Sequence, residues 1–147
     1  MPITLYALLT WTTRDRAPII DANGAAFLHT FLPKAAELRH ARVISMGIVR
    51  DHVRLLLHLD GLVDIPQLVQ RLKGASARIA NRDRVLGDGR LRWARGYDLR
   101  SVSPRAVPTA QAYLARQGVR HPGFAVPTKS EETSPSSTTV ARLAAEE

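Results

Sequence analysis

The chain has 147 residues, no cysteine and a formal net charge of +8, with 21 lysine and arginine residues against 13 acidic ones. This length suits one domain with a full hydrophobic core, and the lack of thiols excludes disulfides, zinc–thiolate sites and cysteine nucleophiles. No apolar run approaches the roughly 20 residues that span a bilayer, and residues 1–6 lack the features of a secretory signal, so we expect a cytoplasmic protein with no membrane partner.

Positive charge is concentrated before residue 127. Residues 127–147 hold two basic and four acidic side chains, which leaves the body with 19 basic and 9 acidic residues, a net charge of +10. Arginine dominates the basic set, and its planar guanidinium suits paired contacts with phosphate oxygens. A polyanionic partner such as nucleic acid would explain this charge, and a solubilising, arginine-rich surface would explain it equally well.

The first predicted elements are a strand and a helix. Residues 3–13 (ITLYALLTWTT) are rich in β-branched and aromatic residues, which favours a strand. Asp21 suits the N-cap of a helix that continues to Leu38. Since Pro33 lies within this run, the pattern predicts either one helix or a short segment followed by a second helix beginning near Pro33.

Two strands and a second helix follow. Residues 42–49 (RVISMGIV) predict a strand, and Arg50–Asp51 then leaves room only for a tight hairpin turn. Asp64 is a candidate N-cap and Pro66 suits the first helical turn. Apolar residues recur beyond it at helical spacing, at Leu68, Val69, Leu72, Ala75 and Ile79.

The strand after the hairpin turn separates two kinds of side chain, because side chains of an extended strand alternate between its faces. One face would carry Val53, Leu55, Leu57 and Leu59. The other face would carry His52, Arg54, Leu56 and His58. We predict that the first face belongs to the core and that the second, with two imidazoles and a guanidinium, is the functional face.

The rest of the chain predicts a strand, a helix and a tail. Residues 91–102 favour a fourth strand with Gly96 at a bulge, and residues 109–120 a final helix after a connector. The order strand, helix, strand, strand, helix, strand, helix predicts an α+β, ferredoxin-like split βαβ fold with a four-stranded antiparallel sheet and an extra C-terminal helix. We predict one domain over residues 1–126 and a disordered polar tail over residues 127–147.

Tyr113 and Gln117 lie one helical turn apart on the predicted last helix and share a face. A separate stripe, Val107, Ala110 and Leu114, is the one expected to pack. A tyrosine in such a place is usually structural, but its combination with the polar face at His52 points to chemistry.

These motifs resemble those of the single-tyrosine HUH transposases of bacterial insertion sequences and their REP-associated relatives. The resemblance covers roughly residues 3 to 121. It rests on residues 10–13 (TWTT), 51–56 (DHVRLL), 73–74 (KG), 93–97 (WARGY) and 113–117 (YLARQ).

The resemblance implies an activity and a site. Tyr113 would attack a phosphodiester of single-stranded DNA folded into hairpins, leaving a 5′-phosphotyrosine link and a free 3′-hydroxyl. His52 and Gln117 would hold Mg²⁺ or Mn²⁺ together with a second histidine, and the protein would be a homodimer with sheets joined edge to edge.

The chain departs from this pattern at the second histidine, which is Arg54. Arginine stays protonated, cannot ligate a metal and repels one. Two interpretations follow: a degenerate or domesticated transposase that keeps DNA binding without metal-dependent cleavage, or one in which the Arg54 guanidinium clamps the phosphate while Tyr113 attacks. A ferredoxin-like nucleic-acid or protein-binding module unrelated to transposition is the rival from another class.

Further side chains are candidates for DNA contact, although a solvated surface charge explains any single one of them equally well. These are Arg14, Arg16, Lys73, Arg78 and Arg95. Trp11 and Trp93 would either stack on unpaired bases or pack in the core.

Overall fold

A computed structural model describes residues 5–116 of the chain, and the predicted tail lies outside this part. Two short 3₁₀ turns, Arg14–Arg16 and Pro104–Ala106, accompany the main elements. These are β1 (Leu5–Thr12), α1 (Ala22–Glu37), β2 (Ala41–Val49), β3 (His52–Leu59), α2 (Ile65–Arg82), β4 (Asp98–Val102) and α3 (Val107–Ala115). The order confirms the predicted α+β, ferredoxin-like arrangement with an added C-terminal helix.

The four strands form one antiparallel sheet in the order β2-β3-β1-β4. Its main core lies under α1 and α2, where Leu9 of β1 is opposite Leu55 of β3 and both side chains are fully buried. The opposite face carries Thr10 opposite Arg54 and Thr12 opposite His52. The predicted alternation along β3 is therefore confirmed.

The functional face is not open along its whole length. Leu56 points to this face yet is fully buried, outside the main core. It is covered because α3 packs against β2 and β3 on this side, and Leu114 of α3 is buried as well. The burial of Leu114, which was predicted to pack, thus determines where α3 lies. As a result the preceding residue, Tyr113, lies on the functional face.

Both long helices begin at the predicted caps. The Asp21 carboxylate accepts from the Gly24 N–H at 2.8 Å, and the Asp64 carboxylate accepts from the Gln67 N–H at 3.0 Å. The first helix continues through Pro33 to Glu37 as one element, which settles the alternative left open by the sequence. No helix between residues 5 and 116 is long and apolar enough to cross a membrane.

The prediction of a strand over the whole of residues 91–102 was wrong in its first half. Only residues 98–102 pair with β1, and before them a single bridge joins Thr13 to Trp93. Gly96, at φ +84°, turns the backbone out of the extended conformation. The last helix begins at Val107, earlier than predicted, and the end of the predicted helix lies beyond the described residues.

Candidate functional site

The functional face brings Arg54 and Tyr113 into contact. An Nη1–H of Arg54 on β3 donates to the Tyr113 hydroxyl on α3. The guanidinium carbon also lies 5.3 Å from the centre of the tyrosine ring, within range of a cation–π interaction. The candidate nucleophile and the residue at the second histidine position are therefore direct partners.

His52 is adjacent to this contact and is buried, with 5% of its surface exposed. Its Nδ1 lies 2.8 Å from a carboxylate oxygen of Asp51, and since a carboxylate only accepts, Nδ1 is the protonated nitrogen. Burial lowers the pKa of His52 to about 4, against the raising effect of Asp51. The imidazole is thus neutral near pH 7, as a ligand or hydrogen-bond acceptor must be.

Asp51 connects three parts of the site. Its carboxylate accepts from Arg16 Nε at 3.0 Å as well as from His52, and its backbone carbonyl accepts from the Thr13 N–H at 2.9 Å. Asp51 itself is 3% exposed. The carboxylate therefore fixes both the imidazole and Arg16. This role was not predicted from the sequence, although Asp51 is the first residue of the motif at residues 51–56.

A cavity of about 580 Å³ opens beside Tyr113 between β1, β4 and the segment before β4. We call it the arginine cavity because its lining includes four arginines, Arg16, Arg54, Arg95 and Arg100. One carboxylate, Asp98, also lines it and accepts from Arg100 Nε at 2.9 Å. Four guanidiniums against one carboxylate make the cavity a positively charged site suited to phosphate groups.

The structure brings together some of the predicted DNA contacts and separates others. Arg16 and Arg95 line the arginine cavity. Arg14 is exposed and does not line it, and Arg78 lines a separate groove of the helical layer with Arg39 and Arg71. Arg100 was missed, although its place opposite Leu8 of β1 puts it on the functional face by the same alternation that identified Arg54.

Lys73 hydrogen-bonds to backbone carbonyls and does not line the arginine cavity. Its ammonium donates to the carbonyls of Ala94 at 2.7 Å and Gly96 at 2.8 Å. Burial lowers the pKa of Lys73.

Of the two tryptophans, Trp11 is 1% exposed and meets Trp93 edge-on at 5.6 Å, so Trp11 packs in the core.

The donor set does not fit the divalent cation that the resemblance implies. Arg54 occupies the second histidine position, and its guanidinium repels a cation. Among residues 5–116 no group of three or more histidine, cysteine, aspartate or glutamate side chains could hold a metal ion. His58, four residues along β3, lies roughly 13 Å from Arg54 at ~3.3 Å per residue and is no replacement. The third predicted ligand, Gln117, lies outside the described residues.

Comparisons with known proteins agree on one family. Residues 3–117 match the family described as "Transposase IS200 like". The chain is 32% identical over 114 residues to the ISDra2 transposase TnpA of Deinococcus radiodurans, covering 74% of this chain and 81% of that protein.

Two solved structures have a similar fold. One is a transposase candidate from Deinococcus radiodurans R1, with a TM-score of 0.62 at 26% identity over 84% of this chain and 94% of that one. The other is the REP-associated tyrosine transposase bound to a REP hairpin, with a TM-score of 0.62 at 13% identity over 80% of this chain and 68% of that one.

Proposed function

Because the chain belongs to the IS200-like transposase family, we propose that it binds single-stranded DNA at hairpins and that Arg54 prevents metal-dependent strand cleavage by Tyr113. The observation that carries this proposal is the hydrogen bond from Arg54 to the Tyr113 hydroxyl. Family membership supports Tyr113 as the nucleophile and DNA as the partner. With Arg54 at the second histidine position, we expect the chain to keep DNA binding and to lose metal-dependent cleavage.

The arginine cavity supports the binding half of the proposal. Phosphate contacts supply much of the affinity of proteins for nucleic acids and make it dependent on salt. Four guanidiniums line this one cavity, and a guanidinium is a group that can bind two phosphate oxygens at once. A relative with the same fold is bound to a REP hairpin, which supports a hairpin as the partner of this chain.

The Arg54 side chain supports the second half of the proposal, the loss of metal-dependent cleavage. Cleavage of a phosphodiester requires a nucleophile in line with the scissile bond and positive charge at the non-bridging oxygens. In the family pattern that charge is a cation held by two histidines and a glutamine. Here Arg54 repels such a cation and also holds the Tyr113 hydroxyl, so we infer that Mg²⁺ or Mn²⁺ does not support cleavage.

The hydrogen bond between Arg54 and Tyr113 also favours one alternative function, which is cleavage of DNA without a metal. A phosphate clamped by Arg54 would lie next to the Tyr113 oxygen, because the two side chains are in direct contact. Attack by that oxygen would form a 5′-phosphotyrosine and release a 3′-hydroxyl without any metal. This alternative predicts covalent adducts that form equally well in a chelator.

We also propose a homodimer formed through β2. Among the described strands, β2 and β4 are the edges of the sheet, and the nine residues of β2 (Ala41–Val49) offer a longer row of backbone groups than the five of β4. Light scattering of the purified chain would give the mass of two copies, whereas a single-copy mass at micromolar concentration would contradict this dimer.

A binding experiment tests the proposed function. Affinity for a single-stranded oligonucleotide that forms a hairpin should exceed affinity for the matched duplex and for the matched RNA hairpin. It should fall steeply between about 50 and 200 mM salt, because several phosphates are contacted. Incubation with Mn²⁺ should leave no DNA covalently attached to the native protein. Equal binding to all three nucleic acids, or none, would contradict the proposal.

A further inference from the structure

Three side chains of α2 hold the segment that precedes β4. We call residues 91–96 the anchored segment. Asn81 accepts from the Leu91 N–H at 2.7 Å and donates to its carbonyl at 3.0 Å. Ser76 accepts from the Trp93 indole N–H at 3.0 Å. Lys73 completes the row by donating to the two carbonyls farther along the segment.

These contacts supplement a sparse backbone connection between β1 and the anchored segment, in which the Ala94 N–H donates to the Thr12 carbonyl and the Arg14 N–H to the Arg92 carbonyl, both at 2.9 Å. One bridge, between Thr13 and Trp93, ties it to the end of β1, and the ladder with β1 resumes only at Asp98. The position of the backbone between them therefore depends on α2. Ser76 is fully buried and Leu91 is 3% exposed, so the first two contacts are parts of the core.

Lys73 acts at the point where the anchored segment meets the arginine cavity. The two carbonyls that it binds belong to Ala94 and Gly96, the neighbours of Arg95 on either side. Arg95 and Gly96 line the cavity, and Lys73 does not. The ammonium thus fixes the backbone on both sides of a side chain that faces the proposed ligand.

We propose that Lys73 is a positioning residue that holds Arg95 in the wall of the arginine cavity, and that its effect on DNA binding passes through Arg95. This inference rests on the proposed function, since it concerns how the same cavity binds DNA. It differs from a phosphate contact by Lys73 itself, in which the ammonium and Arg95 would contribute independently.

A lysine suits this place for a chemical reason. An ammonium group donates up to three hydrogen bonds in rotatable directions from one atom, so one nitrogen can serve two carbonyls two residues apart. A methionine of similar length packs in the same space and donates none. Lys73→Met therefore removes the anchor with little change of volume.

The test is a double-mutant cycle on affinity for the hairpin oligonucleotide, with four proteins: native, Lys73→Met, Arg95→Gln and the double variant. Each single variant should bind about fivefold more weakly near 0.15 M salt, the effect of one lost phosphate contact. The double variant should bind no more weakly than either single one. Penalties that multiply in the double variant would overturn the proposal, because independent contacts behave in that way.

A second measurement reports on the anchor without DNA. Hydrogen exchange at the amides of residues 94–97, where Lys73 binds, should become about tenfold faster in Lys73→Met, while exchange in β1 and β3 stays slow and shows that the variant is folded. Arg78→Gln is the matched control, since it removes one positive charge from α2 at an exposed position and should leave these amides unchanged. Unchanged exchange in Lys73→Met would overturn the anchoring, whereas a native chain that binds no DNA would contradict only the proposed function.

Discussion

Arg54 and Tyr113 are 59 positions apart in the chain and are joined by a hydrogen bond across the gap between the sheet and α3. The sheet places Arg54 on the functional face opposite Thr10, and the burial of Leu114 fixes the rotation of α3 that presents Tyr113. The side chain that replaces a metal ligand of the family pattern is thus the partner of the candidate nucleophile.

The two members of this pair should contribute differently to DNA binding. Arg54→Gln removes a guanidinium from the arginine cavity, and we expect about a fivefold loss of affinity near 0.15 M salt. Tyr113→Phe removes only the hydroxyl and keeps the guanidinium in the cavity, so affinity should be unchanged or higher. Fluorescence anisotropy with the hairpin oligonucleotide measures both. A loss in Tyr113→Phe as large as that in Arg54→Gln would show that the phenol itself binds DNA.

Asp98 should limit the affinity of the cavity for DNA. It is the carboxylate of the lining and is paired with Arg100. Asp98→Asn removes a negative charge from the site and with it the ionic partner of Arg100, so we expect affinity to rise about fivefold by the same counterion argument. Asp83→Asn is the matched control, because Asp83 is about as exposed and also pairs with an arginine, Arg82, but lies outside the cavity. An equal gain in both variants would indicate an effect of net charge alone.

The Asp51 carboxylate should contribute to the free energy of unfolding. Its buried carboxylate accepts hydrogen bonds from His52 and Arg16, and hydrogen bonds to charged groups contribute about 1.5 to 3 kcal/mol each. Asp51→Asn keeps the shape but loses the charge, so we expect a loss of about 2 kcal/mol in the free energy of unfolding by urea. Asp60→Asn, at a half-exposed carboxylate beside His40, should cost less than about 0.5 kcal/mol.

Buried His52 should make the fold sensitive to acid. Burial lowers the pKa of His52 to about 4, whereas the imidazole of the unfolded chain titrates near its ordinary value of about 6.5. As pH falls through 6.5 the unfolded state takes up a proton that the folded state does not, so stability is full above about 6.5 and declines toward 4. The loss is of the order of 3 kcal/mol.

Urea unfolding in chelator at pH 7 and pH 4.5 measures this loss. The variant His52→Gln is the control, because it carries no group that titrates at this position. Its stability should change less between the two pH values than that of the native chain. Equal changes in the two proteins would show that other groups cause the acid sensitivity.

Much of the site follows from local patterns. The alternation over residues 52–59 identifies the functional face without any structure, and the N-caps at Asp21 and Asp64 locate both long helices. Arg100 lies on the same face by the same alternation. These features depend on neighbours in the chain, so the sequence is sufficient to predict them.

Other features depend on contacts between distant residues and leave no periodic signal. Residues 91–96 have the composition of a strand, but a single bridge joins them to the end of β1. Asn81 and Lys73 of α2 hydrogen-bond to their backbone, and Ser76 accepts from the Trp93 indole N–H. Asp51 holds Arg16 across 35 positions. Such contacts arise from packing of the whole chain, and no pattern within one segment predicts them.

Replacing Arg54 with histidine tests most directly whether Arg54 prevents cleavage. Arg54→His restores the second histidine of the family pattern and should form a covalent protein–DNA adduct on the hairpin oligonucleotide in Mn²⁺, seen on a denaturing gel. The adduct should disappear in chelator and in the double variant Arg54→His/Tyr113→Phe. Arg100→His, which places a histidine elsewhere in the same cavity, should form none. A Tyr113-dependent adduct formed by the native chain would contradict the proposal that Arg54 prevents cleavage.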